Sequence, residues 1–336
     1  MVKILSLFSG AGGLDLGFRN AGFKIVLSNE NDKDTYATYD YNFPRTKHIK
    51  DSIKNLKGSI LEEGFDGIIG GPPCQSWSEA GKQKGINDPR GRLFYEYIRI
   101  LKIVKPRFFL AENVSGMLHK KHSNALKNIT DQFKENGYNI NFQLLDAVDF
   151  GVPQNRKRVF IVGIKKELER SFTFPSSKLF KNPETLRDCL KGLPKPIPAL
   201  EKNKTNFKNI NSKQNLIHNN EYMIGGFSTI FMSRNRVRDW NEPSYTIQAG
   251  GRHAPIHPDA PKMIKVKKDK FKFCENNLNK YRRLSVRECA RIQTFPDEFI
   301  FFYNQISAAY KMIGNAVPVK LSEVFAFEIK KQLFVD

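Results

Sequence analysis

Cys74 is the residue of this chain best presented for nucleophilic chemistry. It closes the run Gly70-Gly71-Pro72-Pro73-Cys74 and precedes Gln75-Ser76-Trp77-Ser78. Two glycines and two prolines define a sharp loop behind the apolar run Asp66–Ile69, so the thiol stands at the C-terminal end of a strand, where α/β proteins hold ligands. An exposed thiolate on a rigid loop can attack electrophilic carbon. A thiol packed in a core is inert, and that reading suits Cys189 and Cys289, each within an apparent helical pattern. The second group is Glu112, in Glu112-Asn113-Val114 after the apolar run Phe108–Ala111. If the two runs are neighbouring parallel strands, their ends bring Cys74 and Glu112 to one rim. A carboxyl shielded from water there can hold or donate a proton. Alone, Glu112 could equally cap a helix. A third feature is Ser9-Gly10-Ala11-Gly12-Gly13-Leu14-Asp15, which follows the apolar run Lys3–Phe8. Glycines there let the backbone turn tightly and let a ligand approach it. Glu30, closing the next run, can accept hydrogen bonds from ribose hydroxyls. The dinucleotide fingerprint fails because Asp15 occupies its third glycine position, so the loop suits a nucleoside without a pyrophosphate. A glycine turn with no ligand is the plainer alternative.

These loops require a frame. Short apolar runs alternate with amphipathic stretches through the first half, which predicts a parallel sheet covered by helices. The expected strands are Lys3–Phe8, Phe23–Asn29, Asp66–Ile69, Phe108–Ala111, Ile140–Leu145 and Arg158–Val162. Leu93, Phe94, Tyr97, Ile98, Leu101 and Val104 recur at helical spacing before Pro106, and Leu126, Ile129 and Phe133 do so before Gly137. Beyond about Lys166 the pattern changes. The segment Phe172 to Lys280 is rich in Pro, Asn, Lys and Gly, and its length argues for a second domain of irregular β and loop structure. Helical patterning returns at Ser285–Gln293 and Ser322–Leu333.

In this order the motifs resemble those of the DNA (cytosine-5)-methyltransferases over essentially the whole chain. The resemblance is carried by Phe8-Ser9-Gly10-Ala11-Gly12-Gly13, Glu30, Gly71-Pro72-Pro73-Cys74-Gln75, Glu112-Asn113-Val114 and Gln154-Asn155-Arg156-Lys157-Arg158, then by Arg287-Glu288-Cys289-Ala290-Arg291-Ile292-Gln293 and Gly314-Asn315-Ala316-Val317-Pro318. It implies an α/β S-adenosylmethionine-dependent methyltransferase fold, a mostly parallel sheet flanked by helices. A catalytic domain would span 1–172 and 305–336, with a smaller, irregular target-recognition domain over 173–304. It also implies a mechanism. Cys74 would attack C6 of a cytosine flipped out of the duplex. Glu112 would engage N3 and the exocyclic amine, Arg158 the O2, and Arg156 a phosphate or the cysteine loop. S-adenosylmethionine, leaving as S-adenosylhomocysteine, would lie against Phe8, Ser9, Gly10, Gly12, Gly13, Glu30, Asn31, Asp51, Pro73, Asn315 and Val317, with no metal involved. Asn31 stands where relatives commonly carry an aromatic or large apolar residue.

The net charge of +21 predicts a polyanionic partner, and here it points to double-stranded DNA. Arg234-Asn235-Arg236-Val237-Arg238 offers alternating side chains suited to a groove-facing strand or loop, and arginine forks match guanine O6 and N7. Ser78, Arg234, Arg236, Arg238, Thr246, Ile247 and Arg252 are the expected DNA contacts, some of the arginines holding phosphates only. The stretch from Phe231 to Arg252 resembles the recognition region of the GGCC-methylating branch of the family, so the inner cytosine of GGCC is the expected target. The four cysteines show no CxxC spacing, which argues against structural zinc and a disulfide framework. With no membrane-spanning run and no signal peptide, a monomer in the bacterial cytoplasm is expected, working beside a restriction endonuclease without a stable complex. A transfer-RNA cytosine-5 methyltransferase would share the catalytic set, although the long basic recognition region argues for DNA. A catalytically silent DNA-binding module would not need Cys74, Glu112 and Arg158 together. A nicotinamide oxidoreductase leaves the cysteine loop unexplained.

Overall fold

The computed structural model describes residues 1–73, 93–177, 183–206 and 217–334. Cys74 and Ser78 lie outside the described residues. The apolar runs become strands: β1 (Lys3–Leu7), β2 (Lys24–Asn29), β4 (Gly67–Gly70), β5 (Phe108–Val114), β6 (Tyr138–Asp146) and β7 (Lys157–Lys165). β4 is buried throughout and β1 nearly so, as expected of strands covered on both faces. An edge strand that the pattern did not predict, β3 (Lys47–Ile49), completes a seven-stranded sheet of order β3-β2-β1-β4-β5-β7-β6. β7 runs antiparallel to both its neighbours, and the other pairings are parallel.

Helices cover both faces. On one lie α3 (Leu93–Val104) and α4 (Ser123–Glu135), packing Phe94, Tyr97, Ile129 and Phe133 against Phe109 and Ile161. α3 stops where Lys105 turns left-handed (φ 48) ahead of Pro106, which cannot continue a helix. On the other lie α1 (Gly13–Asn20) and the last helix, α8 (Val319–Leu333). Phe325, Ala326 and Ile329 of α8 join Phe18 of α1 and Phe160 of β7 in one core. Ser322 Oγ donates to the Leu14 carbonyl at 2.6 Å, so the two ends of the chain are bolted together.

A third core joins α2 (Tyr36–Asn42), α5 (Leu186–Leu190), α6 (Val286–Ile292) and α7 (Ile306–Asn315), with Ile247 and Ala254 from the irregular region. That region carries little regular structure: a two-residue pair, β8 (Ile197–Pro198) with β9 (Glu221–Tyr222), and a hairpin, β10 (Ile264–Lys267) with β11 (Lys270–Lys272). Phe231, Val237, Ile256, Met263 and Tyr281 form its own small core. Among the described residues no helix is long and apolar enough to cross a membrane, and no group of three or more His, Cys, Asp or Glu is placed to hold a metal.

Candidate active site

Leaving β1, the chain passes through Phe8 and Gly10, both at φ 55, and Gly12 at φ 92. Gly12 is required twice over. Its φ is left-handed, and a Cβ there would lie 2.3 Å from the Phe43 ring. The turn is fastened by Glu30 at the end of β2. Glu30 Oε2 accepts from Gly10 N at 2.8 Å, while Oε1 accepts from Asn31 N and Asp32 N. Between this loop, the cysteine-loop approach and the end of α7 lies a cavity of about 350 Å³. Phe8, Ser9, Gly10, Gly13, Glu30, Pro73, Asn315 and Val317 of the expected cofactor set line it. Gly12 sits behind the wall against Phe43. Asn31 and Asp51 are exposed and are not part of the lining. Asp51 instead accepts from Ser52 N and Asn55 Nδ2.

The lining offers polar groups to a ligand. Ser9 Oγ is buried with no partner among the described residues, an orphan that a polar ligand would satisfy. The Asn315 side chain is exposed at the mouth. Lys311 and Asp15 are among the lining residues that no motif indicated. Lys311 of α7 reaches Asp32 at 2.7 Å across the rim. Asp15, seen in the sequence only as a displaced glycine, is buried beneath the loop and accepts from Ser6 Oγ at 2.6 Å and from the Tyr39 hydroxyl. Burial outweighs those hydrogen bonds and pushes its carboxyl up to about 6.

At the other end of the cavity stands Glu112. β4 and β5 run parallel with Gly70 opposite Ala111, so the residues that follow, Gly71 and Glu112, emerge side by side. A Cβ on Gly71 would lie 3.1 Å from Glu112 Oε2. Asn113 Nδ2 donates to the Pro72 carbonyl at 3.2 Å, tying the β5 end to the segment that leads to Cys74. Arg158 Nε sits 3.0 Å from Glu112 Oε1. Burial raises the Glu112 carboxyl above its ordinary range, against the pull of Arg158 and Arg156.

Arg156 is 2% exposed, and its guanidinium donates to the carbonyls of Ile247, Gly314 and Ala316 at 2.8–3.0 Å. That is a clasp between the irregular region and the turn after α7, buried away from a phosphate; of the two expected partners, the cysteine loop from Cys74 onward lies outside the described residues. Its neighbours extend the clasp. Gln154 Oε1 accepts from Ile247 N, Gln154 Nε2 donates to Gln293 Oε1, and Gln293 Nε2 donates to the Ile313 carbonyl. Thr246 Oγ1 donates to the Asn155 carbonyl at 2.6 Å, and the Ile247 side chain is fully buried.

The arginine row also divides. Arg236 is 7% exposed and donates to the carbonyls of Ile230 and Phe231 while stacking on the Phe231 ring, so the expected base contact by Arg236 gives way to a structural role. Arg238 is held by Glu242 and Asn155 over the Tyr245 ring. Arg234 and Arg252 remain exposed.

The chain matches the family described as C-5 cytosine-specific DNA methylase over residues 2–331. The Type II methyltransferase M.FnuDI of Fusobacterium nucleatum is 53% identical over 334 residues, covering 99% of this chain and 95% of its own. M.MthTI of Methanothermobacter thermautotrophicus, another Type II methyltransferase, is 53% identical over 332 residues, covering 99% and 98%. Among solved structures, a candidate DNA modification methyltransferase from an E. coli prophage superposes with a TM-score of 0.75 at 26% identity over 99% of each chain. The Entamoeba histolytica methyltransferase EhMeth shares the fold, with a TM-score of 0.70 at 20% identity over 100% of this chain and 99% of its own.

Proposed function

The chain belongs to the C-5 cytosine-specific DNA methylases, the family of the Type II restriction-modification methyltransferases, and from that premise we propose that it methylates the inner cytosine of GGCC in duplex DNA through a covalent Cys74 intermediate. The observation that carries the reading is a single cavity lined at one end by Ser9 and Glu30 and at the other by Glu112 and Pro73, the residue before Cys74. Donor and acceptor would meet there. S-adenosylmethionine, when bound, supplies an electrophilic methyl group on its sulfonium; Glu30, Ser9 and Asn315 are the polar lining residues that would hold it.

The chain's own residues do the rest. The Cys74 thiolate adds to cytosine C6, and the electron pair displaced from the C5–C6 bond makes C5 nucleophilic. Glu112 holds a proton at N3, which neutralises charge that would otherwise build on the ring. Its raised proton affinity suits it to that task, and Arg158 fixes its orientation. After methylation a base removes the C5 proton, and the returning electron pair expels Cys74 as thiolate. The base must leave the stack for any of this to happen. Cys189 and Cys289 are poor rivals, since burial pushes the first thiol up to about 12 and the second well above its ordinary range. Arg234 and Arg252 are the forks left free to read guanines, and a cognate endonuclease cutting the same sequence would make the enzyme its protective partner. DNA from cells expressing the protein tests the target. Full resistance to an endonuclease cutting GGCC, with 5-methylcytosine at the inner position by bisulfite sequencing, is the expected result. Full cleavage rejects the target, and normal protection by Cys74→Ser rejects the nucleophile.

A further inference from the structure

The β10–β11 hairpin carries Lys265, Lys267, Lys268, Lys270 and Lys272, all exposed, with one acid, Asp269, at its turn. Lys272 pairs with Glu275 at 2.9 Å; the other four lysines have no ion pair among the described residues. Lys267 and Lys270 stand directly opposite each other across the ladder. Like charges in that position destabilise a β pair. Exposed lysines do protect a short hairpin from pairing with other chains, but protection needs no opposed pair and no uncompensated cluster. A polyanion laid along the hairpin would turn the repulsion into attraction.

The hairpin is also rooted in the recognition region. Met263, immediately before β10, donates its N–H to Asn235 Oδ1 at 2.9 Å and accepts from Arg236 N through its sulfur at 3.3 Å. Lys262 pairs with Asp239 at 2.6 Å. Phe271 packs into the small core with Phe231 and Val237. The lysines therefore project from the same scaffold that holds Arg234 exposed.

We propose that the β10–β11 hairpin is a docking arm for the phosphate backbone of duplex DNA outside the recognition sequence, adding affinity without sequence preference. The inference rests on duplex DNA being the substrate. Its test is the combined variant Lys267→Gln, Lys268→Gln and Lys270→Gln in the full chain, titrated by fluorescence anisotropy with labelled duplexes that contain or lack GGCC over a series of salt concentrations. Each phosphate contact contributes about −0.9 to the slope of log K against log salt, so the slope should become shallower by about 2 to 3. The change should be equal for both duplexes, leaving their affinity ratio unaltered, while the charge-conserving Lys→Arg triple keeps the wild-type slope. An unchanged slope in a variant with wild-type melting temperature overturns the proposal. So does a loss confined to the GGCC duplex, because the lysines would then be reading bases. Wild-type protein whose duplex binding ignores salt would instead defeat the underlying reading of the substrate.

Discussion

Asp15 is fully buried and Glu112 largely so on one cavity, and the loss of water raises the proton affinity of both for different ends. In the proposed mechanism Glu112 holds the proton at N3, so Glu112→Gln removes the exchangeable proton while keeping the shape. Turnover should fall by about a hundredfold or more, with duplex binding retained; unchanged single-turnover rates would displace Glu112 from the chemistry. Asp15 is enclosed by Ser6 and Tyr39 and acts on the fold. Its native pKa of about 6 lies above the ordinary 3.8, so the folded state binds that proton more tightly than the unfolded chain does. Its contribution to stability is therefore greatest below the unfolded value and is lost as pH rises through about 6, a fall of about 3 kcal/mol at roughly 1.4 kcal/mol for each tenfold change in proton affinity. Asp15→Asn cannot ionise and should gain on wild type between about pH 4 and pH 7 in urea denaturation; parallel stability curves for the two proteins would contradict this. The arginine row gives a sharper contrast. Arg234→Ala should leave melting unaltered and cost about 1–3 kcal/mol of discrimination at one base pair. Arg236→Ala should lower the melting temperature, because it removes the donor to the Phe231 carbonyl and the cation stacked on the Phe231 ring. If Arg236→Ala altered discrimination and left stability intact, the structural role assigned to it would be wrong.

Among the elements, α7 meets the 247–249 segment in a tight joint near the cavity. A Cβ on Gly314 would lie 2.3 Å from the Gln248 carbonyl, a backbone group that cannot swing aside. Arg156 closes the same joint through Gly314 and Ile247. Gly314→Ala should cost about 1–3 kcal/mol of stability and weaken both S-adenosylhomocysteine and duplex binding, because the joint carries Asn315 on one side and Thr246 on the other; calorimetry of the two ligands checks it, and loss of only one affinity would show that the two sides move independently. Glycine-rich motifs and long apolar runs made such elements legible. α3 and α4 stand where the periodicity and their terminal Pro106 and Gly137 put them. β3 was not legible, because three residues, Lys-His-Ile, carry no alternation to read. The packing of Arg236 was not legible for a related reason. Spacing of two implies one strand face, yet this backbone is irregular, with only an isolated bridge from Val237 to Ile256. Arg236 then meets carbonyls supplied by a short turn at Phe231–Ser233 that has no periodic signature. The clasp of Gln154, Arg156 and Gln293 was visible as motifs but not as contacts, since apart from the bond between the two glutamines its partners are main-chain groups that any sequence supplies.

At the scale of the molecule, the cavity is assembled from both ends of the chain. Phe8 to Asp15 come from its start, and Lys311 to Val317 from its last tenth. Between them α8 lies along α1, with Ser322 bonded to Leu14 and Lys330 Nζ donating to the Ala21 carbonyl at 3.0 Å. α8 buries Val319, Leu321, Phe325, Ala326, Ile329 and Leu333, and its large apolar side chains are each worth about 1.5–3 kcal/mol when fully removed from water. That sum is comparable with the roughly 5–15 kcal/mol by which whole domains are stable. A chain ending before α7 should therefore fail to hold the sheet's α1–α8 face and should bind no S-adenosylhomocysteine, although Ser9, Glu30 and Glu112 are all still present. Differential scanning fluorimetry with and without S-adenosylhomocysteine makes the comparison: a ligand-dependent rise in melting temperature for the full chain, and no cooperative transition for the shortened one. Should the shortened chain melt cooperatively and respond to the ligand, the N-terminal elements would be self-sufficient, and the contribution of Asn315 and Val317 to the cavity would be dispensable.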